Sequence, residues 1–284
     1  MSIKALALDL NGTVLDPFNN ISGELAGLLT HLREKGIKIF IATSKTIFEI
    51  KDSFPSQTIC DGLVVANGMG CYINKEKIFE YTLPPSLVEK VIQMARKEKI
   101  YYEAHPLETG RFALMKDQAY MVEELLNPIP PTLNKNELLS RRQALAEKIN
   151  WVKEIDTFHL VKIYFFSMNP EKIRRWKQAL QQLQPDHPFT ILSSSDHNVE
   201  IMTDNVSKAT GIRLLLEEYG LSPKDLMAVG DGENDLPMFD LAGYSVAMKN
   251  ASETVQSKAD EVTAASYEEN GLYLFLREKF RDLL

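Results

Sequence analysis

Short apolar runs alternate with amphipathic segments along the first third of the chain. The apolar runs predict strands at Ile3–Asp9, Ile37–Thr43 and Gly62–Gly68. Between them, apolar residues at helical spacing predict helices at Ile21–Lys35 and at residues 44–54. Strands and helices that alternate in this way predict a parallel sheet with helices on both faces.

The pattern changes near Pro84, where helices and strands follow in a different order. A Pro-rich break at Asn127–Pro131 divides this segment, and its last predicted strand is Phe189–Ser194. We interpret residues 84–194 as a second α/β domain inserted into the first. Its other predicted elements are the helices Leu87–Lys99, Glu137–Ile149 and Pro170–Leu183 and the strand His159–Phe166.

The first pattern returns in the last third of the chain, from about Asn198. It predicts strands at Leu226–Asp231 and Tyr244–Met248 and helices at Asn234–Ala242 and Gly271–Leu283. The predicted fold class is therefore α/β. Residues 1–83 and 195–284 form a core with a doubly wound parallel sheet, and 84–194 form the insert.

Composition narrows the choice of partners. The chain has 284 residues, with 39 acidic against 32 basic side chains and a net charge of −7. This balance argues against nucleic acid or an anionic membrane as the partner, because both usually require a basic surface.

The two cysteines, Cys60 and Cys71, form no disulfide framework. Without an apolar run of about 20 residues or a signal peptide, we expect a cytoplasmic protein, either a monomer or a small homo-oligomer.

Residues capable of phosphate chemistry stand where predicted strands end. Asp9 closes the first strand, Thr43, Ser44 and Lys45 follow the second, and Lys208 opens a helix. Asp231 and Asp235 follow a later strand in the segment GDGEND. In an open α/β sheet the carboxyl ends of the strands share one crevice, so these segments are expected to converge.

The residue types at these positions fit one chemistry. Asp9 and Asp231 offer the hard oxygen ligands that Mg²⁺ prefers, and a carboxylate can also attack phosphorus. Hydroxyls of Thr43 or Ser44 and the Lys208 ammonium can hold phosphoryl oxygens. Gly12 lets the backbone approach a phosphate closely. Taken singly, each residue also has a structural reading as a turn residue, a helix cap or a solvated charge.

The motifs DLNGT, ATSK, NVSKATGI, GDGENDLPMF and VAMKNA together resemble the Cof-type branch of the haloacid dehalogenase (HAD) superfamily. The resemblance covers the whole chain, although Ser44 and Lys45 replace a common Gly-Arg. It implies a Rossmann-like core with an α/β cap and Mg²⁺-dependent phosphatase activity on small phosphorylated metabolites of the sugar-phosphate type. The change of pattern between about Pro84 and Phe189 further motivates the hypothesis that the insert sets specificity, with hinges near Leu83 and Ser195.

The resemblance also implies roles for individual residues. Asp9 is expected to be the nucleophile and a metal ligand, and the backbone carbonyl of Asn11 a further ligand. The predicted site comprises catalytic Asp9, Asn11, Thr43 and Lys208, substrate-binding Gly12, Ser44, Lys45, Lys208 and Asn234, and metal-binding Asp9, Asn11, Asp231 and Asp235.

Asn11 departs from the family pattern, in which an aspartate protonates the leaving oxygen and then activates water. An amide has no titrating proton, so Asn11 can perform neither step. Three explanations stay open: a slow or specialised enzyme, proton transfer by another group, or an inactivated sequence.

Three other functions compete with the phosphatase. Asn11 motivates a catalytically weak phosphate-binding or regulatory protein, and the acidic residues with Thr43 and Lys208 motivate a phospho-accepting receiver domain. A receiver leaves more than half of the chain unexplained. Haloacid dehalogenation needs no metal, so the pair Asp231 and Asp235 argues against it. In the insert, Arg111, Lys116 and Lys162 are candidates for substrate contact, but the sequence does not distinguish them from surface charges, which is the reading that we favour for each.

Overall fold

The computed structural model describes residues 3–50 and 59–284. The chain divides into two compact units, Met1–Glu80 with Val206–Leu284, and Tyr81–Asn205. The predicted boundaries lay at 83/84 and 194/195, so the second unit begins slightly earlier and ends later than expected. It ends later because the segment Asn198–Thr203 is a strand of the second unit's sheet.

The strands are numbered in chain order. They are β1 (Ala5–Asp9), β2 (Lys38–Ala42), β3 (Gly62–Val65), β4 (Gly70–Ile73), β5 (Glu76–Glu80), β6 (Tyr101–Pro106), β7 (Arg111–Leu114), β8 (Ile149–Val152), β9 (Leu160–Phe166), β10 (Phe189–Leu192), β11 (Asn198–Thr203), β12 (Leu226–Gly230), β13 (Tyr244–Ala247) and β14 (Glu261–Val262).

The α-helices are numbered in the same way. They are α1 (Gly23–Glu34), α2 (Ile47–Ile50), α3 (Pro85–Lys97), α4 (Gln118–Glu124), α5 (Lys135–Gln143), α6 (Pro170–Leu183), α7 (Lys208–Glu218), α8 (Leu236–Leu241), α9 (Glu253–Gln256) and α10 (Gly271–Lys279).

The first unit contains a sheet in the order β14-β13-β12-β1-β2-β3-β4-β5. The strands from β14 to β3 pair in parallel, which confirms the predicted fold class, whereas β4 and β5 form an antiparallel edge that the sequence did not predict. All five residues of the central strand β1 are buried. This burial explains why its sequence is apolar up to Asp9, since a parallel strand is covered on both faces.

The bounds of two predicted elements of the first unit need comment. The strand predicted to reach Gly68 ends at Val65, because Ala66 and Asn67 have left-handed backbone angles, with φ of 48° and 54°. The predicted helix 44–54 is present as α2, and its last four residues lie outside the described part of the chain.

The second unit contains a sheet in the order β10-β11-β9-β6-β7-β8, antiparallel except for β7 and β8. Trp176 of α6 packs edge-on against Phe165 of β9, with ring centroids 5.1 Å apart. The predicted helix 137–149 differs: α5 ends at Gln143, a π-helical turn covers Ala144–Lys148, and β8 begins at Ile149.

Candidate active site

Asp9 is the last residue of the central strand β1, and only 6% of its surface is exposed. Its strand neighbour in β2 is Ala42, and Thr43 follows directly at the end of β2. On the other side, Asp231 follows the end of β12, the second strand paired with β1. The carboxyl ends of three adjacent parallel strands therefore present these side chains at one edge of the sheet.

Lys208 lies at the centre of the carboxylates. It is the first residue of α7, and the preceding Ser207 donates its backbone N–H to Thr210 Oγ1 at 3.1 Å, a bond typical of a helix start. The side chain of Lys208 is fully buried, and its Nζ donates to Asp9 Oδ1 and, at 2.6 Å, to Asp235 Oδ1. A buried ammonium is tolerated here because two carboxylates compensate its charge.

Asp235 organises the turn that follows β12. Its Oδ2 accepts the backbone N–H groups of Asp231 and Gly232, both at 2.9 Å, while Oδ1 accepts from Lys208. Both of its oxygens are thus engaged, and its side chain is fully buried. This leaves Asp231, whose side chain is less buried, as the carboxylate of the turn that is more available to a ligand.

Gly12 and Asn250 bring the first and last parts of the site together. Asn250 Nδ2 donates to the backbone carbonyl of Gly12 and to Asp231 Oδ2, both at 3.0 Å. Gly12 has φ +83°, and a Cβ at this position would lie 2.1 Å from Asp231 Oδ2. Only glycine therefore allows the β1 loop to approach the Asp231 carboxylate this closely.

The side chain of Asn11 is held by a residue that the sequence analysis did not single out. Asn11 Nδ2 donates to Asn19 Oδ1 at 3.2 Å, and Lys45 Nζ donates to the same oxygen at 3.2 Å. Asn11 and Lys45 therefore share one acceptor at the rim of the site. Lys208, by contrast, bonds directly to Asp9.

The loops after β2 and β3 support the site from the other side. Thr43 is buried, its backbone N–H donates to Val64, and its Oγ1 accepts from the backbone of Lys45 at 3.2 Å. Ser44 lies between them and is half-buried. Asn234 Nδ2 donates to Asn67 Oδ1 at 2.9 Å, so Asn234 is oriented by the left-handed turn after β3.

The carboxylates affect one another's protonation. Burial raises the pKa of Asp9 to about 8; the Lys208 ammonium opposes this shift, and the Asp235 and Asp231 carboxylates add to it. Burial and the Asp235 carboxylate raise the pKa of Asp231 to about 7. Burial alone would lower the pKa of Lys208, but Asp235 and Asp9 raise it. Three carboxylates around one ammonium leave an excess of negative charge.

This arrangement fits a divalent cation. Carboxylate oxygens of Asp9, Asp231 and Asp235 lie within 4.8 Å of one another. They are hard oxygen donors, which Mg²⁺ prefers, and a bound cation would relieve the repulsion that raises their pKa values. Which of the predicted residues bind metal and which bind substrate stays a prediction.

Asn67, Asn250 and Asn19 are site residues that sequence reasoning did not assign. Asn67 lies in the predicted strand Gly62–Gly68 and Asn250 in the motif VAMKNA, so both stand in segments that the sequence singled out, although the sequence does not reveal their contacts. Asn19 had no such signal, because its contact with Asn11 arises from the path of the loop after β1.

Residues 6–276 match the family described as haloacid dehalogenase-like hydrolase. The chain belongs to this family. Its members are hydrolases, and the predicted family and fold class are thereby confirmed.

Curated and structural relatives agree with this membership. The chain is 26% identical over 284 residues to a 5-amino-6-(5-phospho-D-ribitylamino)uracil phosphatase, YwtE, of Bacillus subtilis, covering 96% of this chain and 97% of the relative. It is 24% identical to phosphatase YwpJ of the same organism, covering 94% and 96%.

Among solved structures, a haloacid dehalogenase-like hydrolase from Bacteroides thetaiotaomicron has a TM-score of 0.79 at 23% identity, covering 98% of this chain and 100% of that one. A phosphatase of the haloalkanoate (HAD) superfamily from the same organism has a TM-score of 0.72 at 28% identity, covering 100% and 96%. The assignment of the chain to an enzyme of the phosphatase type is confirmed. None of the helices in residues 3–50 and 59–284 is long and apolar enough to cross a membrane.

Proposed function

We propose that the protein hydrolyses a small phosphate monoester in two steps, with a phosphoryl group carried in between on Asp9. The observation that supports this most is the convergence of Asp9, Asp231 and Asp235 around the buried Lys208 at one end of the sheet. A buried carboxylate of this kind, held by an ammonium and placed at a strand end, is suited to nucleophilic attack.

We assign the magnesium ligands to Asp9, Asp231 and the backbone carbonyl of Asn11. Asp235 then acts mainly by orienting Lys208 and the backbone of Asp231, because both of its oxygens already accept hydrogen bonds. When bound, Mg²⁺ would neutralise charge on the carboxylates and on the phosphoryl oxygens.

The phosphoryl group would be held by donors around Asp9. Lys208 supplies the buried positive charge, and the Thr43 and Ser44 hydroxyls and the backbone N–H of Gly12 supply hydrogen bonds. Lys45 and Asn234 complete the substrate-binding set at the rim. These roles follow the family pattern and the positions of the residues at the strand ends.

In the first step, a carboxylate oxygen of Asp9 forms a bond to phosphorus while the bond between phosphorus and the substrate oxygen breaks. The leaving alkoxide takes a proton from water, because the Asn11 amide has none to give. In the second step, water attacks the same phosphorus and the bond between phosphorus and the Asp9 oxygen breaks. The attacking water gives its proton to the solvent, which replaces the proton taken in the first step, and inorganic phosphate leaves while the Asp9 carboxylate is restored. Without a carboxylate at position 11 to activate this water, we expect the second step to limit turnover.

The proposed substrate is a phosphorylated metabolite with a sugar or sugar-alcohol chain. Three Bacillus subtilis relatives are named as phosphatases of 5-amino-6-(5-phospho-D-ribitylamino)uracil, at 26%, 23% and 25% identity. We therefore place this compound first in a panel of sugar phosphates. Specificity is assigned to the unit Tyr81–Asn205, in line with the change of pattern in the sequence.

Phosphate release from this panel tests the proposal, with and without a chelator and after re-addition of Mg²⁺. Activity should disappear with the chelator and with Asp9→Asn, and intact-mass spectrometry with an acyl phosphate should show a phosphorylated species that Asp9→Asn lacks. Phosphate binding by calorimetry without release from any substrate would favour the alternative of a phosphate-binding or regulatory protein, which Asn11 motivates. Chelator-resistant release of halide from a haloacid would instead indicate a dehalogenase.

A further inference from the structure

The second unit contains a polar pocket with a volume of about 310 Å³. This value falls near the lower end of the range of about 300–1,000 Å³ for small-molecule sites. We call it the Asn198 pocket, after the residue at its base. Its lining consists of Asn134, Glu137, Ser140, Arg141, Tyr164, Ser194, Ser195 and Asn198.

The pocket lies at one end of the unit's central strands. Asn198 is the first residue of β11, and the chain leaves the unit after the other end of that strand, at Thr203. There, Thr203 Oγ1 donates to the carbonyl of Thr82 at 2.9 Å, next to the point where the chain enters. At about 3.4 Å per residue, the pocket is roughly 17 Å from these connections, so its walls belong to the second unit itself.

Hydrogen bonds hold the base of the pocket in place. Asn198 is 2% exposed, and its Nδ2 donates to Glu137 Oε1 at 2.5 Å and to Ser195 Oγ at 2.8 Å. Its Oδ1 accepts the backbone N–H of Ser194 at 2.9 Å. The adjacent His197 is buried between Thr132 Oγ1 and the carbonyl of Ser167, at 2.9 and 3.0 Å. The pocket is therefore formed before any ligand binds.

Glu137 gives the pocket an open acceptor. Its Oε1 accepts from both Asn198 and the Tyr164 hydroxyl, the latter at 2.9 Å. Within the described part of the chain no group donates to its Oε2. A carboxylate oxygen has lone pairs for two donors, so a ligand hydroxyl in the pocket can bond to Oε2 without displacing a protein contact.

The charges argue against an anionic ligand. The Arg141 guanidinium lies 4.2 Å from the Tyr164 ring centroid, donates to Ser140 Oγ at 3.1 Å, and pairs with the fully buried Glu103. Its charge is thus compensated outside the lining, and the Glu137 carboxylate would repel an anion.

Hydroxyl groups match the remaining lining, because each of them can donate one hydrogen bond and accept others. Serine hydroxyls and asparagine amides offer the same mixture of donors and acceptors. We propose that the Asn198 pocket binds a neutral polyhydroxylated molecule, a sugar or sugar alcohol of monosaccharide size. Binding in this pocket does not depend on hydrolysis.

Saturation-transfer NMR and titration of the full-length protein with ribitol, mannitol and glucose test the proposal. At least one probe should bind saturably, and Asp9→Asn should bind it equally well. Glu137→Gln keeps an acceptor at the position of Oε1 but replaces Oε2 with an amide nitrogen, which cannot accept a hydrogen bond from the ligand. This variant should weaken binding at least about tenfold. Ser140→Phe fills the pocket from its exposed rim and should abolish binding. Leu139→Phe, at the next exposed position outside the lining, is the matched control.

Circular dichroism and the melting temperature establish that the variants are folded. Three outcomes would each overturn the proposal: no saturable binding of any probe, binding that survives Ser140→Phe, or displacement of the probe by sulfate or ethanolamine. Because the assay measures binding without turnover, a failure here is distinguishable from a failure of the proposed phosphatase function.

Discussion

Asn11→Asp restores the carboxyl group that phosphatases of this pattern carry, and we expect it to raise turnover. General acid–base help is typically worth about 10²–10⁴-fold in rate, or roughly 3–5 kcal/mol of activation free energy. The full value is not expected here, because water already supplies part of the proton transfer. We therefore expect kcat to increase by at least about tenfold. This value is the lower limit of the general acid–base range, reduced because water already performs part of the proton transfer.

The contacts of Asn11 explain why the gain should be limited. The amide donates to Asn19 Oδ1, and the Lys45 ammonium donates to the same oxygen. A protonated carboxyl at position 11 can keep this bond by donating to Asn19. An ionised carboxyl cannot donate. The nearby Lys45 ammonium would stabilise the ionised form and lower the pKa of the carboxyl, so that it is less often protonated as a general acid and is a weaker base.

Paired substrates measure this effect. kcat is compared for a sugar phosphate and for p-nitrophenyl phosphate, whose leaving group needs little protonation. Asn11→Asp should shorten the lifetime of the phosphorylated enzyme with both substrates, and should speed its formation mainly with the sugar phosphate. Asn20→Asp adds the same charge in the same loop and serves as the control.

Mass spectrometry must accompany the kinetics, because the sequence Asn11-Gly12 is prone to deamidation and traces of aspartate would mimic native activity. The reasoning is refuted if the protein, with Asn11 verified intact, hydrolyses sugar phosphates rapidly and Asn11→Asp gives no gain. Another residue would then transfer the proton.

Four further measurements test the site and the fold. Asp231→Asn removes a charged ligand and should raise the Mg²⁺ concentration needed for half-maximal activity; full activity in excess chelator would contradict the two-carboxylate site. The pKa of Asp9 is raised from 3.8 to about 8 and that of Asp231 from 3.8 to about 7. Between the ordinary and the raised pKa values, the metal-free folded state therefore binds more protons than the unfolded state. Its melting temperature should therefore fall as the pH rises from 4 to 8 and recover with Mg²⁺, whereas a flat profile would contradict the buried charge excess. Gly12→Ala would place a Cβ 2.1 Å from Asp231 Oδ2 and should lower kcat by about 10²-fold through misplacement of the carboxylate. Its melting temperature should also fall, because alanine is strained at the left-handed φ of +83°; unchanged kinetics would show that the close approach is dispensable. Trp176→Ala removes a ring packed on Phe165 and should cost about 3–5 kcal/mol in the free energy of unfolding measured with urea, and a loss below about 1 kcal/mol would mean that the site collapses around the deletion.

Local patterns in the sequence were sufficient for the parallel core. An apolar strand such as β1 and an amphipathic helix such as α6 are specified by the period of their own side chains. Pro170–Leu183 was predicted with the bounds that the structure has. Asp9, Thr43 and Asp231 were also nameable as candidates, since Asp9 ends an apolar strand and the other two directly follow one, and Lys208 stands at the start of a helix.

Tertiary structure decided what depends on partners distant in the chain. The segment Asn198–Thr203 was assigned to the core from the sequence, but its pairing with β9 and β10 places it in the second unit. The edge strands β4 and β5 were missed because short edge strands carry little periodic signal.

The arrangement of the site was likewise decided by the tertiary structure. Lys208 and Asp9 are 199 residues apart, and only the fold shows that they form an ion pair in the interior. The same holds for the bond between Asn11 and Asn19, which the loop path creates. Periodicity records whether a side chain points to the core or to solvent, whereas a hydrogen bond between distant segments depends on three-dimensional position. The sequence by itself therefore determined the element types and the chemistry available, and the tertiary structure determined which groups meet.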